Sequence, residues 1–218
     1  MAIDLIHVNK FLRLAYSSDK QLRSALLVDI NQEKRKAAGS DSGGGDFYSP
    51  FWADARKHIL GEADLSVLTT ERIKKNGGRK NLYPKLEQGV LALWERGHNL
   101  DVELLSVSPK GRFPFPDIGL TAKVESIMAL SIEGEERLVY PYWFPDPILS
   151  EEAARIGLWL LSQVLSNEQS DNFRIFDIIR AEYFSLATCP LQGNEKSIVA
   201  KNYKRILALR QSLIEEKR

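Results

Sequence analysis

The stretch from Ile118 to Leu165 constrains this chain more than any other: a strand pattern, a Glu-Gly-Glu-Glu turn, a second strand rich in aromatics, then a capped amphipathic helix. A hairpin joined to a helix in this order puts β-structure and α-structure in one packed unit, because each element has an apolar side that only the other can cover. The helix, residues 149–165, starts in a favourable N-terminal context at Ser150 and Glu152 and is apolar almost all round, so it is expected to be buried.

Three further strand patterns flank this centre, at 100–107, 173–179 and 183–186, and the spacing predicts single strands over 118–132 and 137–144. Pro114 and Pro116 donate no ladder hydrogen bonds, which restricts the FPFPD segment to a loop or a sheet edge. Helix patterns precede them: DFYSPFWADARKHIL with Pro50 in its first turn, Leu65 to Lys75 closed by an Asn-Gly-Gly turn, and YPKLEQGVLALWERG opened by Pro84. A last helix over 193–217 places Val199, Tyr203, Ile206 and Leu213 inward, with Lys201, Lys204, Arg205 and Arg210 largely outward. The order predicts an α/β (α+β) fold: a mixed sheet of four to five strands flanked by helices, with a helix crossing between the third and fourth strands.

Residues 1–36 read as an N-terminal helical arm, with Asn9 as one N-cap and Ser18 or Asp19 as another ahead of Leu22, Leu26 and Ile30. Residues 37–45, rich in Gly, Ser and Asp, read as a flexible linker, and 46–218 as a single α/β domain. The glycine run has no following Lys-Ser or Lys-Thr to make a phosphate loop.

Net charge is +1, with basic ends and an acidic middle, so the composition allows a local basic face without demanding one. One cysteine, Cys189, excludes an internal disulfide framework, and no apolar run approaches membrane-spanning length. A cytoplasmic, membrane-free protein is expected, and MAIDLIHVNKF does not read as a secretory signal.

Chemistry is harder to place. His7, His58 and His98 lie in separate segments without metal-ligand spacing, so no zinc site is indicated. Lys74, Lys75, Arg79 and Lys80 form a basic turn suited to phosphate or protein contact. Tyr140, Tyr142 and Trp143 lie on a strand from which rings can stack unpaired bases. Lys123 and Glu125 share one strand face, since alternation places residues two apart on the same side.

Across about residues 82–186 the element order resembles the PD-(D/E)XK nuclease core. That resemblance implies a helix acid, a strand acid and a lysine around Mg²⁺ or Mn²⁺, for which Glu87, Glu125 and Lys123 are the candidates; the family's Glu-x-Lys position holds Tyr140-Pro141-Tyr142. The segments DFYSPF, LVYPYWFPDPILSEEAAR, FDIIRAEYF and QGNEKSI also resemble an uncharacterised bacterial family, which implies one folded unit over 46–210. The leading expectation is a non-catalytic module that binds protein or nucleic acid within a bacterial multi-protein system, in a setting such as genome defence, without a cofactor. A metal-dependent nuclease is the alternative, and residues 1–36 are a candidate oligomer contact.

Overall fold

The computed structural model describes residues 4–39, 47–96 and 101–216. Strand β1 (Leu5–His7) runs into helices α1 (Val8–Tyr16) and α2 (Asp19–Ala37). Helices α3 (Ser49–Ile59), α4 (Leu65–Lys75) and α5 (Tyr83–Arg96) follow, then strands β2 (Val102–Leu104), β3 (Gly111–Phe115), β4 (Leu120–Val124), β5 (Met128–Ile132) and β6 (Glu135–Tyr142). Helix α6 (Glu151–Val164), strands β7 (Phe173–Asp177) and β8 (Glu182–Phe184), and helix α7 (Glu195–Glu215) complete the chain.

The fold is α/β, as the element order predicts, but its strands divide into two mixed sheets, β1-β4-β3 and β2-β5-β6-β7-β8. The single strand expected over 118–132 is therefore corrected to two, β4 and β5, belonging to different sheets. Ser126 makes the break: its φ of 67° turns the chain out of extended geometry, and the Trp52 indole fixes the corner by donating to the Ser126 carbonyl at 2.8 Å. The β5–β6 turn places Glu133 at φ 52° and Gly134 at φ 78°, the two positive values that a tight hairpin turn needs to match strand twist. β3, which contains Pro114, lies at a sheet edge as that proline requires.

β6 and β7 pair in parallel, with α6 between them in sequence. The Ser150 hydroxyl caps α6 by accepting from the Ala153 N–H at 3.1 Å. Helix α6 contacts β3 and β4 of one sheet and β7 and β8 of the other, and α1 and α7 also pack on it. Ala153, Ala154, Ile156, Leu158, Leu160 and Leu161 are buried around its circumference, which accounts for the nearly continuous apolar character of its sequence.

The N-terminal segment does not stand apart as an arm. β1 pairs in parallel with β4, Phe11, Leu12 and Leu14 are buried, and Leu22, Leu26 and Ile30 of α2 enter the same hydrophobic cluster as α6 and β7. Ion pairs Arg205–Asp19 at 2.7 Å and Arg210–Glu33 at 2.5 Å connect α7 to the start and body of α2. Leu22, Leu26 and Ile30 of the segment expected to contact another chain, residues 1–36, are thus buried within their own chain, whereas Val28 of α2 is exposed. Of the expected linker, residues 40–45 lie outside the described residues.

Gly89 and Gly157 sit where an added Cβ meets close neighbours. A Cβ on Gly89 of α5 would lie 1.6 Å from the Ile178 carbonyl oxygen, whereas one on Gly157 of α6 would meet the side-chain ends of Ile175 at 2.4 Å and Leu12 at 2.9 Å. Gly89→Ala therefore collides with backbone, and Gly157→Ala with methyl groups that can turn aside. Chemical denaturation should show a loss of about 3 kcal/mol or more for Gly89→Ala and about 1–2 kcal/mol for Gly157→Ala.

Candidate functional site

The outer face of the three-stranded sheet carries a row of basic side chains beside one carboxylate. Register aligns His7 on β1, Lys123 on β4 and Arg112 on β3 directly across the sheet. Alternation explains the row: Ile6, Ala122 and Val124 point inward and are buried, so their odd-numbered neighbours point out. At about 4.8 Å per strand the three basic positions span roughly 10 Å.

Glu125 lies on the same face, two residues beyond Lys123. Its carboxylate is 2.8 Å from Lys123 Nζ and 3.8 Å from His7 Nε2. The Lys123 hydrogen bond is the main cause that holds the Glu125 carboxyl below the usual range; partial burial opposes it, while the charges of Lys123, His7 and Arg112 add to the lowering. His7 is also the N-cap residue of α1, so the positive end of that helix lies beside the row. Beneath it the Tyr140 hydroxyl accepts from the Asn9 N–H at 3.1 Å.

The pairing of Lys123 with Glu125 follows from the alternation that puts them on one face. His7 and Arg112 were missed because they become neighbours of Lys123 only through sheet pairing, one of them across 116 positions of sequence. The short β1 lacks a strand signal of its own, being three residues ahead of a helix.

Other candidates are placed differently. Tyr140 and Tyr142 are each 1% exposed and Trp143 7%, so the expectation that these rings stack bases is corrected. Tyr142 donates to the Pro147 carbonyl at 2.7 Å, and Trp143 stacks on Tyr48 with centroids 4.8 Å apart. Their faces are occupied by protein, and burial raises both tyrosine hydroxyls well above the ordinary phenol range.

Glu87 of α5 accepts from the Ser66 hydroxyl of α4 at 2.6 Å, whereas Glu125 is committed to Lys123 and His7. The two acids of the nuclease alternative thus serve different elements. Among the described residues no three His, Cys, Asp or Glu side chains gather as a cation site.

Lys74, Lys75 and Lys80 are exposed at the end of α4 and the turn after it, as a basic contact surface requires. Arg79 is held over the rings of Tyr83 at 5.1 Å and Phe47 at 5.9 Å, so it braces the α3–α5 region instead of projecting outward. Cys189 is buried, and burial pushes its thiol up, which suits a packing role.

Together these features define an α/β protein with a half-solvated sheet face on which three basic positions surround one carboxylate. Comparison of the chain with family models, curated proteins and solved structures gives no match. No helix among the described residues is long and apolar enough to cross a membrane.

Because Lys123 dominates the lowering of the Glu125 carboxyl, Lys123→Met should move its titration upward toward the ordinary glutamate range, as read by NMR of the side-chain carboxyl carbon. The sign for stability follows: a lowered folded pKa contributes stability above the unfolded value, and that contribution fades as pH falls through the folded one. The acid limb of the wild-type stability profile should accordingly lose a small increment in Lys123→Met.

Proposed function

We propose that this protein is a non-catalytic binding module that contacts the phosphate backbone of nucleic acid, without reading base sequence, through the outer face of the β1-β4-β3 sheet. The observation that carries the reading is the aligned His7–Lys123–Arg112 row beside the α1 N-terminus. Basic positions spread over about 10 Å cover the axial length of about three phosphates on a strand that carries one per ~3.4 Å, and counterion release then supplies the affinity.

Lys123 sits between its two basic neighbours, and Glu125 both orients it and limits the net charge. The same carboxylate sets specificity by charge, because a phosphate that approaches Lys123 competes with Glu125 for its ammonium. Lys74, Lys75 and Lys80 offer a further set of exposed cations for the same partner. Base stacking has no part, since the rings of Tyr140, Tyr142 and Trp143 are buried.

Fluorescence anisotropy with a labelled duplex, taken through a salt series, tests this. Binding should weaken linearly in log–log form, and Lys123→Ala and Arg112→Ala should each reduce the slope by about 0.9. Glu125→Gln should tighten binding. Absence of binding at low salt, or unchanged slopes in folded Lys123→Ala and Arg112→Ala proteins, would reject the reading.

A further inference from the structure

The five-stranded sheet carries a second, chemically different surface. A polar groove of about 900 Å³ opens at the start of β7, lined among others by Arg137 of β6, Arg174 of β7, Asn167, Gln169 and Ser185. That volume lies within the range of small-molecule sites and is wide enough for a ligand larger than an ion.

Both guanidiniums belong to the same face. Leu138 is opposite Phe173 and both are buried, so their neighbours Arg137 and Arg174 project to the other side of the paired strands. The two differ in how they are satisfied. Arg137 donates to the Glu135 carboxylate and to the Glu136 carbonyl at 2.9 Å. Among the described residues Arg174 donates only through Nη1, to the carbonyls of Asp171 at 2.6 Å and Phe173 at 2.8 Å. Neither acceptor is a carboxylate, and among the described residues Arg174 forms no ion pair.

The Nε and Nη2 edge of Arg174 is therefore left open in a partly buried setting, and a guanidinium edge presents two parallel N–H donors matched to the oxygens of a carboxylate or phosphate. Burial is the first cause that disfavours its charged form and the Arg137 charge the next, while Tyr183, Asp171 and Glu135 act the other way. The acids around the groove are partly spoken for. Glu135 neutralises Arg137, and Glu136 accepts from the Asn172 amide at 2.9 Å.

Glu168 and Asp171 also line the groove and add negative charge to it. They set the size of the acceptable charge: one oxyanion on Arg174 is favoured, whereas a polyanion such as a nucleic-acid backbone is repelled. The groove thus differs in its demands from the basic face of the other sheet.

We infer that Arg174, supported by Arg137, is the anion-binding residue of a small-molecule site, taking a single carboxylate or phosphate group of a ligand seated in this groove. Asn167 and Gln169 offer amides for the ligand's neutral polar groups, and Ser185 its hydroxyl. Arg174 holds the charged end.

The Arg174 Nε–H resonance of the whole chain, followed by NMR while inorganic phosphate or, separately, acetate is added against sodium chloride of matched ionic strength, tests the inference. A saturable shift with either probe, absent with chloride, is expected. Phosphate alone would mark a phosphoryl-bearing ligand and acetate alone a carboxylate. Arg174→Lys should weaken the response about tenfold, because a point charge cannot reproduce the two-donor edge. In Arg174→Gln the groove resonances of Gln169 and Ser185 should no longer respond, with the overall spectrum retained. A non-saturating response equal to that of chloride, or the same response of Gln169 and Ser185 in Arg174→Gln, would overturn it.

Discussion

Helix α6 can serve two sheets and the N-terminal helix α1 at once because Gly157 has no side chain. The ends of Ile175 from β7 and Leu12 from α1 both reach the space that a Cβ would fill. Close approach on both sides lets one helix bury nearly its whole circumference, which is the arrangement an unusually apolar helix requires. The remaining architecture is arranged around that contact: β3 and β4 pack on α6 from one sheet, β7 and β8 from the other, and α7 along a further side.

Such a centre fixes orientation only loosely, and a few polar contacts determine how the surrounding pieces meet it. Arg155 of α6, 5% exposed, donates to Glu195 at 2.5 Å and to Asn194 at 2.8 Å. Burial alone would raise the Glu195 carboxyl, but the Gln192 N–H, the local backbone and Arg155 together hold it low, so the ion pair remains charged at the start of α7. Its value to the fold is geometric, since a buried pair gives little net stability yet costs about 3–5 kcal/mol when one partner is lost. Asp54 and Arg72 join α3 to α4 in the same way through two hydrogen bonds of 2.7 and 2.9 Å. Arg180 ties the segment after β6 to the end of β7 through the carbonyls of Phe144 and Pro145 and the buried Asp177 carboxylate.

Local chemistry made most helices legible in the sequence. Ser18 and Ser150 cap α2 and α6, Pro50 opens α3, and the inward positions of α7 follow its apolar spacing. What escaped depends on positions far apart in the chain. The β4–β5 break turns on Ser126, a residue whose type does not announce a positive φ, and on an indole 74 positions away. The N-terminal segment looked like an arm because nothing in residues 1–36 shows which surface their leucines meet. The aromatic strand presented the same composition for a binding face or for a core, and only the cover supplied by Tyr48, Asn9 and Pro147 decides between them. The basic row was half visible: Lys123 and Glu125 are adjacent by alternation, whereas His7 and Arg112 join them through register.

The same packing thus produces the surface assigned to binding. β1 is held against β4 by hydrogen bonds and by the burial of α1 on α6, so the position of His7 beside Lys123 depends on the Leu12–Gly157–Ile175 contact beneath it. Native-state hydrogen exchange measures that dependence most directly. If α1, α6 and β7 form one cooperative core, the amides of Phe11 and Leu12, Leu158 and Leu161, and Ile175 should exchange with one shared opening free energy equal to that of global unfolding. Amides of α1 that exchange through a separate, much smaller opening while α6 and β7 remain protected would contradict the account.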